Sequence, residues 1–438
     1  MIGSPRRRPF IAMTLLAGAW AAGYAPALAA DTADPRLVTF GPLALVNEGD
    51  HDFRQVIRIS VPEGAGRLHV RLFDPDTGGG FDEPKGGFDT ETRFSLYGAG
   101  VAARIFRGER GVVQESVEGT PLASASFRSD AELDGRWMTL ASADVSAGMA
   151  ASDGRREFVL LIEGRAGNDG NIFDVAVSTS ADENLPPEGL RLYSYMPTFQ
   201  VPHGGMLAEL GFDVPAGAKA LAVENFDAAG GRLSLAGRFR SAPLAPSAKS
   251  QWRRDEVALQ GREAGSRASL TATEGSENPN DMTMFVGEKQ AGVDPVERPV
   301  AIDLPVRSVR PSRRPELALA VTPKACGTIA FDAAGSRDPE GSALSYRWGF
   351  DGETPAAGEA AFERRFEASG MHDGRLEVFD ASGLVGDGSA RDFSFLVKAP
   401  PVAAFGAPAL VAEGAEFTLD ATASMAPESR AGAISPGG

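Results

Sequence analysis

Residues 61–78, VPEGAGRLHVRLFDPDTG, align without a gap on residues 214–231, VPAGAKALAVENFDAAGG, at an offset of 153. Nine of the eighteen positions are identical: Val61, Pro62, Gly64, Ala65, Leu68, Val70, Phe73, Asp74 and Gly78. A repeat of this kind obliges the chain to build one supersecondary unit twice. Later landmarks return in the same order. Trp137 is answered by Trp252, Glu163-Gly164 by Glu274-Gly275, and Asn168-Asp169 by Asn280-Asp281. The shared segment reads as a turn entering a buried strand that ends in an acidic loop.

The period of the apolar residues says what the repeated unit is. Arg54-Gln55-Val56-Ile57-Arg58-Ile59, Leu68-His69-Val70-Arg71-Leu72 and Arg93-Phe94-Ser95-Leu96-Tyr97 alternate with period two, and residues 158–162 form a short apolar run. Sustained helical periodicity is hard to find, and Gly and Pro recur throughout as turn punctuation. The predicted class is all-β, with tandem β-sandwich domains of jelly-roll or immunoglobulin-like type. The first copy is expected over residues 37–180 and its duplicate over 190–306. An Arg- and Pro-rich stretch at 307–314 reads as a stiff, solvated linker. Trp137, Trp252 and Trp348 are expected as one large core anchor per sandwich.

Residues 1–30 have the form of an export leader: Arg6, Arg7 and Arg8, then the apolar residues 10–22, then Ala27-Leu28-Ala29 as a cleavage site. RRPFI at 7–11 also fits a twin-arginine pattern. The protein is expected to be periplasmic or extracellular, with no membrane span once the leader is removed. Loss of the three arginines takes the formal charge from −16 to −19, which argues against a nucleic-acid partner. A single cysteine, Cys326, permits no intrachain disulfide and is expected to be buried at a strand start.

Beyond the linker, FDAAGSRDPEGSALSYRWGFDG at 331–352 is followed by LEVFDASGLVG at 376–386. These stretches resemble the PKD (polycystic kidney disease) repeat, an immunoglobulin-like sandwich. Asp332, Gly335, Ser336, Asp338, Pro339 and Gly341 fill its first pattern, Tyr346 and Trp348 its second, and Val378, Asp380 and Gly383 its third. The likeness covers 315–398. It implies protein or carbohydrate contacts and, in some members, calcium, for which Asp332, Asp338 and Asp380 would be the ligands. The family's W-D-F-G-D-G is shortened here to WGFDG, so polar contacts are expected to be missing at residues 349–352. LDATAS at 419–424 repeats FDAAGS at 331–336, starting a second such unit over 400–438 that lacks the later strands.

Candidate chemistry concentrates in the first sandwich. Asp74, Asp76, Asp82, Glu83, Asp89 and Glu91 crowd a glycine-rich loop, and Asn168, Asp169, Asn171 and Asp174 crowd a second. Calcium takes oxygen ligands from carboxylates and carbonyls, so Asp74, Asp76, Asp82, Asp89, Asn168, Asp169, Asn171 and Asp174 are its candidate ligands, Ca2+ being the one cofactor this pattern suggests. The two loops are expected to meet at one end of the sandwich, and Ala229 replaces Asp76 in the duplicate. Motifs of hydrolases, zinc proteases and P-loop enzymes are missing. The expectation is an exported, non-catalytic protein presenting an interaction surface or acting as a spacer at the bacterial cell envelope, with protein or polysaccharide partners. The alternative is an accessory region of a secreted hydrolase.

Overall fold

A computed structural model describes residues 35–45, 53–108, 111–275, 281–325, 327–381, 386–398 and 400–425. The leader, Asn280, Cys326, Gly383 and residues 426–438 lie outside the described residues. Among those described there are strands and three short 3-10 turns but no α-helix, and none long and apolar enough to cross a membrane. The protein is an all-β, multi-sandwich molecule.

The two copies are joined edge to edge. One sheet runs, in spatial order, Trp137–Asp144, Arg67–Phe73, Gly170–Ser178, Leu37–Phe40, Thr198–Gln200, Asp281–Lys289, Ala220–Phe226 and Trp252–Ala258. The order is a palindrome of the duplication, because each strand of the first copy is mirrored by its counterpart in the second. The opposite sheet behaves alike: Arg54–Pro62 of the first copy and Ile302–Asp303 of the second flank Arg191–Ser194. Pairing edges in this way removes strand borders that would otherwise invite aggregation. A single apolar cluster follows the two layers, from Leu37 and Ile57 to Ile302 and Val306. Phe94 and Phe173 meet edge-on at 5.2 Å within it.

Register tests the internal alignment. Phe73 lies opposite Trp137 and Asp174, whereas Phe226 lies opposite Trp252 and Thr283. The tryptophans therefore correspond, but the structural partner of Asp174 is Thr283, and Asp281 corresponds to Ile172. The Asn168-Asp169 match to Asn280-Asp281 is three residues out of register. Trp137 and Trp252 also differ from expectation. Both are half-buried outside the main core, tilted against Phe73 at 5.6 Å and Phe226 at 5.4 Å. They close sheet edges rather than fill sandwiches.

A hairpin, Ala102–Arg107 with Val113–Glu118, leaves the first copy and covers outer-face residues Val56, Tyr97, Val159 and Leu161. Its Val113 packs with Met196, Phe285 and Val296 of the second copy. Glu115 is buried there with Arg58 Nη1 at 3.2 Å, and the Arg58 guanidinium lies 4.4 Å from the Tyr195 ring. Burial pushes the Glu115 carboxyl up to about 7, although Arg58 opposes the rise. Arg107 bonds Glu224 at 2.5 Å and Asp294 at 2.7 Å, extending the same strap.

Residues 315–398 fold as a separate sandwich. Its sheets are Ala320–Ala325, Thr328–Asp332 and Ala361–Arg365, facing Ala356–Gly358, Ser345–Phe350, Gly370–Phe379 and Gly388–Val397. Phe331 is the hub of an aromatic core, with Phe350 at 4.9 Å, Phe395 at 5.2 Å and Trp348 at 5.8 Å. Trp348 is the buried anchor expected of it, and its indole Nε1 donates to the Glu359 carbonyl at 3.0 Å.

The stretch at 307–314 is not a solvated linker. Arg307–Val309 adds to the strand Leu207–Asp213, and Arg307 reaches the buried Glu209 at 3.2 Å. Arg314 donates to the carbonyls of Gly237 and Arg238, each at 2.9 Å, to that of Gly388, and to Ser241 Oγ at 3.1 Å. A guanidinium holds five donors in a rigid fork, so one side chain can bridge loops of two units. Phe239 and Phe379, 5.7 Å apart, complete the contact.

Residues 400–425 reproduce a turn of the preceding unit without its core. Ser424 Oγ bonds the amide and carbonyl of Ala404 as Ser336 Oγ bonds those of Ala318. Phe405 and Leu410 are exposed.

Candidate functional site

Asp74 closes the strand Arg67–Phe73 with φ 52°, and Asp227 closes its duplicate with φ 59°. A positive φ is costly for a residue with a Cβ but least so for Asp and Asn, and it turns the chain sharply out of the sheet. The following loop folds back on the strand Gly170–Ser178, so the two acidic loops do meet. Their residues divide into three groups.

Asp169 is a clamp. Its Oδ1 accepts the Lys85 amide at 2.8 Å, and its Oδ2 accepts the amides of Asp89 at 2.8 Å and Thr90 at 3.2 Å as well as Thr90 Oγ1 at 3.2 Å. Asn168 Nδ2 assists through the Lys85 carbonyl at 3.3 Å, and the exposed Asp89 side chain rests against Gly167. Asp82 is a second tie, with Gly78 N on Oδ2 and Ile172 N on Oδ1, both at 2.6 Å. Burial pushes its carboxyl up to about 8; the two amides oppose the rise, and the neighbouring acids Asp74 and Asp76 add to it. Asn171 Nδ2 donates to the Pro75 carbonyl at 2.9 Å, and Asp174 Oδ1 accepts the Val175 amide at 2.7 Å. Amide donors therefore occupy Asp169, Asp82 and Asp174 Oδ1.

The third group is different. Asp74 and Asp76 are fully buried, with Gly135 N on Asp74 Oδ1 at 2.9 Å and Asp130 N on Asp76 Oδ2 at 2.7 Å. Asp74 Oδ2, Asp76 Oδ1 and Asp134 Oδ1 are buried without a hydrogen-bond donor. Burial raises the Asp74 carboxyl to about 6, and Asp76 and Asp134 add to the rise. Arg36, held 4.3 Å from the Phe73 ring and 4.4 Å from Phe81, is the nearby cation. Asp134, fifty-odd residues from the loop, had no local signal in the sequence. Among the described residues, no group of three or more His, Cys, Asp or Glu side chains is placed to hold a metal ion.

In the C-terminal sandwich Asp332 and Asp338 cap turns, accepting Ala334 N at 2.9 Å and Glu340 N at 3.0 Å, and Asp380 accepts Ser312 Oγ at 2.9 Å. These three do not converge as a ligand set. The shortened loop keeps its polar contact, contrary to expectation: Asp351 takes φ 50° and bonds His372 Nδ1 at 2.8 Å, while His372 Nε2 lies 3.0 Å from the Ala368 carbonyl. Two acceptors require both ring nitrogens to donate, which favours the imidazolium, and the bond to Asp351 raises the His372 pKa from its ordinary value. A raised histidine contributes stability below the unfolded value that is lost as pH rises through the folded one. The melting temperature of this sandwich is thus expected to fall as pH rises above the ordinary histidine value of about 6.5, and His372→Gln to flatten that slope. Equal slopes for wild type and variant in calorimetric scans would contradict the assignment.

Where the copies join, a cleft of about 750 Å³ opens over Arg191, Tyr193, Glu209, Asp213, Arg267 and Asp303. Its charges are mutually matched: Arg191 meets Asp303 at 2.9 Å, and Arg267 meets Asp213 at 3.3 Å and also Asp303. Burial raises the Tyr193 hydroxyl pKa, which keeps it protonated. Ser142 Oγ lies 2.7 Å from His69 Nδ1, but on an exposed outer face away from this cleft.

No curated protein matches the chain. Among solved structures it is similar to the PKD1 domain of Vibrio anguillarum Epp, at 19% identity over 20% of this chain and 100% of that one, with a TM-score of 0.18. The PKD1 domain of the Vibrio cholerae metalloprotease PrtV is matched at 20% identity over 19% of this chain and 98% of that one, with a TM-score of 0.17. The 47-kilodalton lipoprotein Tp47 of Treponema pallidum is matched at 12% identity over 74% of this chain and 91% of that one, with a TM-score of 0.14. The family model described as PKD domain matches residues 313–393, the stretch that contains the Phe331 hub, the Trp348 anchor and the Asp351–His372 loop. Residues 313–393 are a PKD domain.

Proposed function

We propose that this is an exported, non-catalytic protein that presents an interaction surface, or serves as a spacer, at the bacterial cell envelope. The observation that carries the reading is the mounting of the PKD domain: Arg314 bonds three acceptors of the second copy and the Gly388 carbonyl of the PKD domain, and Phe239 packs on Phe379. A module held in one orientation loses less freedom when it binds, so a fixed mount suits display. The leader at 1–30 supports export, by the twin-arginine or the general route. The matched charges of the junction cleft support binding of polar, extended material rather than of a strongly charged ligand. The partners are protein or polysaccharide.

The test is cosedimentation of the purified mature chain with isolated peptidoglycan sacculi and with a neutral insoluble glucan as comparison. Saturable retention on sacculi is expected, with no release of soluble sugar or peptide. Absence of retention on both, or release of soluble fragments, would overturn the reading, the latter in favour of hydrolase chemistry.

A further inference from the structure

The ion pairs that match charges in the junction cleft belong to its second-copy side. There Asp213 stands opposite Arg267, on the strand Arg267–Ala272, and Arg267 also meets Asp303. At the offset of 153 Asp213 corresponds to Ser60, and the residue opposite Ser60, on the strand Arg155–Ala166, is Glu157. The duplication thus puts a serine and a carboxylate where the other copy has a carboxylate and its arginine. Residues directly opposite in an antiparallel pair share a face, and Glu157 lines the same cleft. That lining holds four arginines and five carboxylates, so one acid is left over. Arg155, two residues earlier on the face of Glu157, is spent on Ser60 Oγ at 2.7 Å, the Ser60 carbonyl at 2.8 Å and the Gly189 carbonyl at 2.7 Å. Arg191, opposite Ser60 on its other side, is held by Asp303 at 2.9 Å. Among the described residues the half-buried Glu157 carboxylate meets no cation and accepts no hydrogen bond.

Tyr193, two strands across the same floor, is the second unpartnered group. It is only 8% exposed and lines the cleft, yet its contacts are the Tyr195 ring at 5.7 Å and the Arg191 guanidinium at 5.3 Å, and its hydroxyl bonds no described residue. A buried phenol usually finds a hydrogen-bond partner. Burial first, then Tyr195 and Glu157, keep this one protonated. The cleft has the volume of a ligand site and lies between two units, where such sites concentrate. We propose that Glu157 and Tyr193 form a subsite for a primary ammonium group of a polypeptide partner, an inference that rests on the display reading above and names the chemistry the cleft recognises. An ammonium is a compact point charge with three donors, which suits one free carboxylate beside a phenol oxygen. Leu190, Leu304 and Pro305 add aliphatic surface to the same lining, against which the methylene stem of a lysine can lie. An amino sugar fits less well, because Tyr193 is the one aromatic residue of the lining and its face is covered.

The experiment is calorimetric titration of the mature chain with the end-blocked peptide acetyl-Gly-Ala-Lys-Ala-Gly-amide, with its Nε-acetyllysine form, with Gly-Ala-Ala-Gly-amide bearing a free amino terminus, and with a glucosamine tetramer. The lysine peptide is expected to bind once per chain with a Kd of about 1 mM or tighter, and the acetylated form at least about tenfold more weakly, since it loses the charged donor. Glu157→Gln and Tyr193→Phe should each weaken binding of the lysine peptide by a similar factor. Both should melt with wild type, because neither group bonds the rest of the protein. Binding of the lysine peptide alone assigns the subsite to a side chain, and equal binding of the free-terminus peptide extends it to chain ends. Equal affinity for the acetylated form, wild-type affinity in Glu157→Gln, tighter binding of the glucosamine tetramer, or no heat from any peptide at about 10 mM would overturn the subsite. Retention on sacculi without peptide binding would overturn the subsite and leave the display reading standing, whereas peptide binding without retention would do the reverse.

Discussion

Replacing Arg58 with alanine is expected to destabilise the joined sandwiches by about 3–5 kcal/mol at pH 9, the usual cost of stranding one member of a buried ion pair. Glu115 is sealed beneath the hairpin, with Arg58 as its partner at 3.2 Å. The pH dependence follows from the raised carboxyl, at about 7. A carboxyl whose folded pKa lies above its unfolded value contributes stability below the unfolded value and loses it as pH rises through the folded one. Without Arg58 the folded value rises further, so the deficit should be small near pH 5 and grow toward pH 9. Arg58→Met combined with Glu115→Leu should recover most of the loss, because a packed apolar pair avoids both desolvation costs. Thermal melts across pH check this. A deficit independent of pH, or one below about 1 kcal/mol, would mean the hairpin is not held by this pair.

The second large effect concerns Asp169. Its carboxylate accepts three backbone amides and one hydroxyl. Hydrogen bonds to charged groups contribute about 1.5–3 kcal/mol each and do not add fully when they share an acceptor. Asp169→Ala is therefore expected to cost about 3–5 kcal/mol. Amide exchange at Lys85, Asp89 and Thr90 should rise sharply before global melting, since those N–H groups lose their acceptor. Unchanged protection at the three amides would contradict the clamp.

The alternation in residues 54–59 and the Tyr346/Trp348 pattern made strands and the PKD sandwich legible, because period and anchor residues are local properties. The duplication was legible for the same reason. Several features were not. Alternation predicts one wet face for Arg54–Pro62, yet the hairpin packs over Val56 and Arg58, and Arg155 Nε donates to Ser60 Oγ, so both polar residues are buried. Trp137 and Trp252 read as core anchors, but whether a large side chain faces inward depends on register parity, which sequence alone does not set. Arg314 read as a solvated linker residue because its acceptors are backbone carbonyls, invisible to residue identity. In the acidic loops, composition found Asp74 and Asp76 but grouped them with Asp82 and Asp169. Only hydrogen-bond partners separate a carboxylate that ties a loop from one left without donors, and Asp134 reaches the group through the fold rather than through spacing.

The proposed function requires the PKD domain to be displayed in a fixed position on the joined sandwiches. Small-angle X-ray scattering of the mature chain, wild type beside Arg314→Ala, addresses it most directly. A wild-type profile fitted by one rigid particle is expected, together with a larger radius of gyration for Arg314→Ala, with the PKD domain still folded by its own melting transition. A wild-type profile that already requires a freely reorienting PKD domain, or identical profiles for the two proteins, would contradict it.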